Sequence, residues 1–211
     1  MTDRSWRISV FDLKAAQACR LPAATLGFLF VPAGEAIVSS GGGEQRISAE
    51  TGMFLSAGDM VAAAEEAWLF QISEGDEVHR SEALTPVLSR RSPPVGGPTI
   101  VRVDRIDQPA GMQTPSHHHR GPGIRRLLTG RLLAEVGDHT DLITSGQAWF
   151  ESGREPVVGT NLNTGTNTFI RMMILPAELE GGKSSFVATT PADAARPRGV
   201  TPQVFGERRI W

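Results

Sequence analysis

Apolar residues along this chain come in short runs. Leu26 to Val31, Trp68 to Ile72, Leu127 to Leu133 and Phe169 to Leu175 each have strand length, and glycines and prolines punctuate the sequence between such stretches. Runs of five to seven apolar residues separated by turn formers point to β-strands. Helical periodicity is scarce: Leu13 to Cys19 and Pro191 to Ala195 would make a turn or two at most. The pattern therefore predicts an all-β chain with little helix.

The segment Ser92 to Pro98, SPPVGGP, cannot sustain a ladder or a helix, because its three prolines lack a backbone donor. It is expected to be a linker (92–98) between an N-terminal lobe (1–91) and a C-terminal lobe (99–180), with residues 181–211 as a tail. The same grammar appears on both sides of the linker. Gly34 and Gly130 are 96 residues apart, Gly52 and Gly146 are 94 apart, and Gly58 and Gly153 are 95 apart. A near-constant offset implies an internal duplication. The tail is rich in Pro and Ala, has no period, and would not fold unaided. It ends in Val204-Phe205 and Ile210-Trp211, which are expected to dock on a barrel or on a second subunit, so a homodimer is an expectation.

Composition narrows the function classes. Lys plus Arg number 21 against 23 for Asp plus Glu, a formal charge of −2. No field of one sign is available for nucleic acid or anionic lipid, and neither is an expected partner. Met1 to Arg7 lacks the apolar core of a signal peptide, and no run reaches the roughly 18 apolar residues of a membrane helix, so a cytoplasmic location is expected. Cys19 is the one cysteine, which excludes an internal disulfide and a cysteine cluster for zinc or iron–sulfur. Ser116 lacks an elbow turn, and Gly41-Gly42-Gly43 lacks the Lys-Ser or Lys-Thr of a phosphate loop, so hydrolase and nucleotide chemistry are not supported.

The stretch Gly111 to Gly130 carries the chemistry. On a strand, His117 and His119 face one side while His118 faces the other. Two imidazoles on one face make half of a metal site. With ten residues between His119 and Gly130, the stretch resembles the first sequence motif of the cupin superfamily: glycine, His-x-His, a glutamate and a closing glycine. Gly146, Ser152, Gly153 and Asn161 trace the second motif of that superfamily, with its Pro-x-Gly turn degraded. The resemblance implies a bicupin, two RmlC-like jelly-roll β-barrels with the ligand cavity inside the barrel. It also implies four metal ligands, of which two are missing here. Gly123 stands at the glutamate position and Val157 at the second-motif histidine. In the N-terminal lobe the offset of 96 places Leu21 and Ala23 at the paired histidines, so that lobe is expected to carry no site.

The candidate metal ligands are then His117 and His119, with Glu151 or Glu155 as the third donor to a divalent ion such as iron, manganese, nickel or zinc. Arg125 and Arg126 follow the vacated glutamate position, and one of them is expected to face the cavity. A buried guanidinium needs a partner: Glu135 or Glu151 in a structural bridge, or a carboxylate-bearing ligand. Asn161 adds hydrogen-bonding capacity, so Arg125, Arg126 and Asn161 are the candidate ligand contacts. Trp149 and Phe150 are read as core, and His79 and His139 as surface residues. Three functions remain open. The barrel could bind a small polar or anionic molecule with a weak or absent metal, act as a metal-dependent dioxygenase or isomerase, or be a structural protein filled by its own side chains.

Overall fold

The computed structural model describes residues 6–75 and 78–210. The reading of Met1 to Ser5 and the expected docking of Trp211 fall outside those residues. The chain divides into two units at Pro94/Val95, inside the Ser92 to Pro98 segment.

The N-terminal unit contains β1 (Trp6–Leu13), β2 (Ala18–Arg20), β3 (Thr25–Val31), β4 (Glu35–Ser40), β5 (Gly43–Ser48), β6 (Thr51–Leu55), β7 (Met60–Ala63), β8 (Ala67–Glu74) and β9 (Leu84–Arg91). They form two antiparallel sheets in the orders β6-β3-β8-β1-β9 and β2-β7-β4-β5. Their facing sides bury Phe11, Leu13, Leu29, Leu55, Leu69 and Val61 with smaller neighbours in one continuous apolar cluster. Central strands such as β8 are buried almost end to end, whereas β5 exposes nearly every residue. That is why the former read as apolar runs and the latter left little signal in the sequence.

The C-terminal unit contains β10 (Thr99–Gln108), β11 (His117–His119), β12 (Gly123–Thr129), β13 (Arg131–Val136), β14 (His139–Thr144), β15 (Ala148–Glu151), β16 (Val157–Asn161), β17 (Asn167–Pro176), β18 (Phe186–Ala188), the short helix α1 (Pro191–Ala194) and β19 (Thr201–Ile210). Its sheets run β15-β12-β17-β10-β19 and β14-β13-β16-β11-β18. The first order repeats that of the N-terminal unit strand for strand. The second repeats it with β18 added. Both units are jelly rolls, and helix among the described residues is confined to α1 and one 3-10 turn at Ala177–Leu179. Among those residues no helix is long and apolar enough to cross a membrane.

Two sequence expectations change. The segment 181–211 is not an appendage: β19 pairs with β10 along its length, as β9 pairs with β1. The ladder supplies the backbone partners that this aperiodic segment lacks by itself, and Arg102 Nε donates to Glu207 Oε1 at 2.7 Å. The glycine offset also shifts. Gly146 N bonds Leu127 O at 2.8 Å and Glu50 N bonds Val31 O at 2.7 Å, so the counterpart of Gly146 is Glu50, also at positive φ, rather than Gly52.

Candidate functional site

Strand alternation turns one set of side chains into the interior of the C-terminal barrel. β10 contributes Arg102, Asp104 and Ile106; β11 His117 and His119; β12 Arg125; β15 Trp149 and Glu151; β17 Phe169 and Arg171. These line a cavity of about 180 Å³, which Phe186 of β18 and Arg198, Val200 and Pro202 near the end of the chain also border. His118 stays half-buried outside this lining.

The histidine pair is fixed from behind. His117 Nδ1 donates to Pro115 O at 2.8 Å, which puts the ring proton on Nδ1. His119 Nδ1 meets Ser185 Oγ at 3.1 Å, while its Nε2 faces Arg171 Nη1 at 3.5 Å. A guanidinium can only donate, so His119 also carries its proton on Nδ1. The rings meet edge to face at 4.9 Å, and Phe186 stacks on His117 at 4.4 Å. Burial pushes both imidazoles below their ordinary range, His119 far below, with the Arg171 and Arg125 charges acting in the same direction on each. Both rings are neutral near pH 7, so the 3.7 Å approach of His119 Nε2 to Glu151 Oε2 is a contact rather than an ion pair.

Two buried ion pairs complete the interior. Arg171 binds Asp104 through Nε to Oδ1 at 2.9 Å and Nη2 to Oδ2 at 2.7 Å. Burial opposes its charge, but Asp104 more than offsets this and raises the guanidinium above its ordinary value. Arg125 Nη2 touches Glu151 Oε2 at 2.5 Å, without hydrogen-bond alignment at either atom. Burial pushes Arg125 down to about 10, still charged at neutral pH. Trp149 Nε1 donates to the other oxygen of Glu151 at 2.9 Å, so this ring is both wall and positioning group rather than plain core.

The glycines of the first motif have local causes. A Cβ at Gly123 would lie 2.6 Å from Met172 O and 3.2 Å from Arg125 Nη1. Arg125 Nη1 itself folds back to donate to Gly123 O at 2.6 Å. The space a glutamate would need is therefore taken up by the Met172 carbonyl, the Met173 side chain and the Arg125 guanidinium. At Gly130 φ is +106°, and an added Cβ would meet Asn167 Oδ1, the side chain that clamps Arg131 N and O across the turn.

Of the residues expected at the site, His117, His119, Glu151 and Arg125 come together. Arg126 does not: it points to the opposite face of β12, where its Nε donates to Gly146 O at 2.8 Å. Asn161 is likewise a loop staple, its amide contacting Gln108 O, Pro109 O and Gly165 O at 2.9 Å each. Glu155 is exposed and takes the Ser152 hydroxyl, remote from the cavity lining. His79 is half-buried rather than on the surface, bonded to Gln71 at 2.9 Å, whereas His139 is exposed at the start of β14. Sequence reasoning missed Arg171 and Asp104. Their signal was a lone charge inside an apolar run, FIRMMIL, and an acid alternating with valines in IVRVDRI.

Solved structures of the same architecture are known. The formate complex of Lactobacillus farciminis oxalate decarboxylase matches 93% of this chain and 87% of its own, with TM-score 0.63 and 12% identity. AerE from Microcystis aeruginosa matches 82% and 88%, with TM-score 0.58 and 15% identity. A cupin 2 conserved barrel domain protein from Leptotrichia buccalis matches 82% and 85%, with TM-score 0.51 and 17% identity. The chain has the cupin fold. No family model and no curated protein matches it.

The metal that a cupin barrel with a His-x-His strand brings to mind does not fit this interior. His119 Nε2 and Glu151 Oε2, 3.7 Å apart, each face a guanidinium, Arg171 at 3.5 Å and Arg125 at 2.5 Å. A divalent ion between them would sit against two fixed positive charges in a desolvated pocket. Gly123 and Val157 offer no further donor. Among the described residues no group of three or more His, Cys, Asp or Glu side chains is arranged to hold a metal.

Proposed function

We propose that the C-terminal cupin barrel binds a small polar or anionic molecule and does so without a resident metal. The observation that carries this reading is a pair of guanidiniums, the buried Arg125 and the partly buried Arg171, facing a cavity beside two neutral histidines. A cavity of about 180 Å³ with a few convergent polar groups is the form of a small-molecule site. Arg171 supplies the contact: Asp104 takes its Nε and Nη2, and Nη1 remains beside His119. His117 presents Nε2 as an acceptor, because its Nδ1 proton is engaged, while His119 Nε2 already faces Arg171 Nη1. Arg125, Glu151 and Trp149 hold the wall behind them.

The test is a titration of the full chain, before and after treatment with a chelator, with a set of small carboxylates. Nuclear magnetic resonance would follow the Arg171 guanidinium and the histidine side chains. Shifts at Arg171, His117 and His119 that persist after chelation support the proposal, and their loss after chelation would contradict it.

A second reading, a metal-dependent enzyme of the dioxygenase or isomerase kind, has one observation in its favour. Both histidines have Nδ1 tied back, as metal-binding histidines do. It requires Arg125 and Arg171 to leave the donors they now contact.

A further inference from the structure

Resting on the reading of this barrel as a small-molecule site, we infer that its ligand is a monocarboxylate with an apolar body about the size of a six-membered ring. Charge sets the first half of this. The charged side chains around the cavity are paired: Arg102 with Glu207 at 2.7 Å, Arg171 with Asp104 at 2.7 Å, and Arg125 with Glu151 at 2.5 Å. The exception is Arg198 at the mouth, whose guanidinium lies 4.7 Å above the Phe186 ring and donates to Ser184 Oγ at 2.8 Å. Among the described residues no carboxylate pairs with it. One negative charge on a ligand would be matched by Arg198 and by the remaining donor of Arg171. A second would be pushed toward the carboxylates of Asp104 and Glu151, where like charges repel strongly in a desolvated site.

Register sets the second half. Arg171 lies opposite both Asp104 and Arg125, so these three form one layer across the sheet. Two residues along, Phe169 lies opposite Ile106 and Leu127. On the other sheet, Gly159 lies opposite Ala134, and Leu132 is two residues before Ala134. The cavity therefore has a charged end toward β11 and an apolar end walled by Ile106, Phe169, Leu132, Ala134 and Trp149. Gln108 Oε1, buried without a partner two residues beyond Ile106, offers one acceptor at that end, so a single hydroxyl has a place there, but the further hydroxyls of a sugar or polyol would lose water without gaining partners. An apolar cavity of roughly 150 Å³ is enough for benzene, so about 180 Å³ accommodates a ring of that size.

Calorimetry on the full chain near pH 7.5 with benzoate, cyclohexanecarboxylate, benzyl alcohol, succinate and glucose separates the possibilities. Benzoate and cyclohexanecarboxylate should bind. Benzyl alcohol, which keeps the ring and loses the charge, should bind about tenfold more weakly, the scale of one hydrogen bond to a charged group. Succinate should be weaker than benzoate by at least about tenfold as well, since its second charge gains no partner. Methyl resonances of Leu132 and Ile106 should move with benzoate and stay in place with acetate. Succinate or glucose binding as tightly as benzoate, or benzyl alcohol matching it, would overturn the monocarboxylate assignment while leaving a small-molecule site in place. If no compound moves any cavity resonance, the binding reading itself fails along with the inference. Ala134→Phe, which fills the apolar end, should abolish benzoate binding and spare acetate, provided amide exchange shows the barrel folded. Retained benzoate binding in that folded variant would also overturn the assignment.

Discussion

The two units share one topology and have opposite interiors. Pairing registers align them position by position. Leu29 faces Leu69 across β3 and β8, and Leu69 faces Phe11 of β1. Arg125 faces Arg171 across β12 and β17, and Arg171 faces Asp104 of β10. Gly27 faces Leu55 as Gly123 faces Glu151. The ladders to β9 and β19 even shift register at matching places, between Val10 and Phe11 and between Val103 and Asp104. Thus Phe11, Leu29, Leu55 and Leu69, each no more than 1% exposed, stand where the second unit has Asp104, Arg125, Glu151 and Arg171. Cys19, in the matching strand β2, and Leu21 just after it both lie in the apolar core, where the second unit has its histidine strand.

One barrel is closed by its own side chains, and the other keeps a charged cavity. The connection before the last strand adds to this contrast. It runs nine residues, 75 to 83, in the first unit and 24, 177 to 200, in the second. The longer one supplies Ser185, Phe186 and Arg198 to the cavity. A duplicated barrel can thus serve as packed scaffold in one copy and as a site in the other by exchanging a handful of inward positions.

Substitutions that move one interior toward the other break this comparison most sharply. Glu151→Leu alone would copy Leu55 but strand the Arg125 charge, and should destabilise the C-terminal unit by about 3 to 5 kcal/mol. Amide exchange resolved by unit checks this, with strands β1 to β9 unchanged. Adding Arg125→Leu restores the N-terminal pattern in full at that pair. The double variant should be as stable as the parent or more stable by about 1 to 4 kcal/mol, because well-packed leucines replace a buried pair of charges. A double variant as unstable as the single one would mean that the pair is doing more than neutralising itself.

How much of this was legible in the sequence follows from what each feature depends on. The strands, the linker and the duplication rest on local pattern, and the runs around Leu29 and Leu127 carry it plainly. The site residues divide differently. His117 and His119 were visible because spacing within one strand fixes their common face. Arg171 and Asp104 depend on register between strands distant in sequence, which no local pattern encodes. Arg126 and Asn161 look as polar as their neighbours, and only the face of β12 and the carbonyls around the β16 end decide that they serve the scaffold. The tail misled because β19 has a sheet neighbour on one side and exposes most of its length, so it needs no apolar period.

The smallest expected effect is on acid stability. Folding holds His117 and His119 below the value near 6.5 that they have when unfolded, so in acid the unfolded chain binds more protons than the folded one. Their contribution is present in full above about pH 6.5 and is lost progressively as pH falls below it. His79 in the N-terminal unit shifts in the same direction. Urea unfolding from pH 7.5 to 5 should show a declining midpoint for the C-terminal unit, with the slope reduced in the His117→Gln/His119→Gln variant. An unchanged slope would show that the histidines are not held neutral.

The central claim is that guanidiniums stand where a metal would need its donors, and metal content tests it directly. Untagged protein incubated with zinc, manganese and iron(II) near pH 7.5, desalted and measured by elemental analysis should hold well under one metal ion per chain. The His117→Ala/His119→Ala variant should give the same figure. Stoichiometric metal in the parent that disappears in the double variant would contradict the account and return the barrel to metal-dependent chemistry.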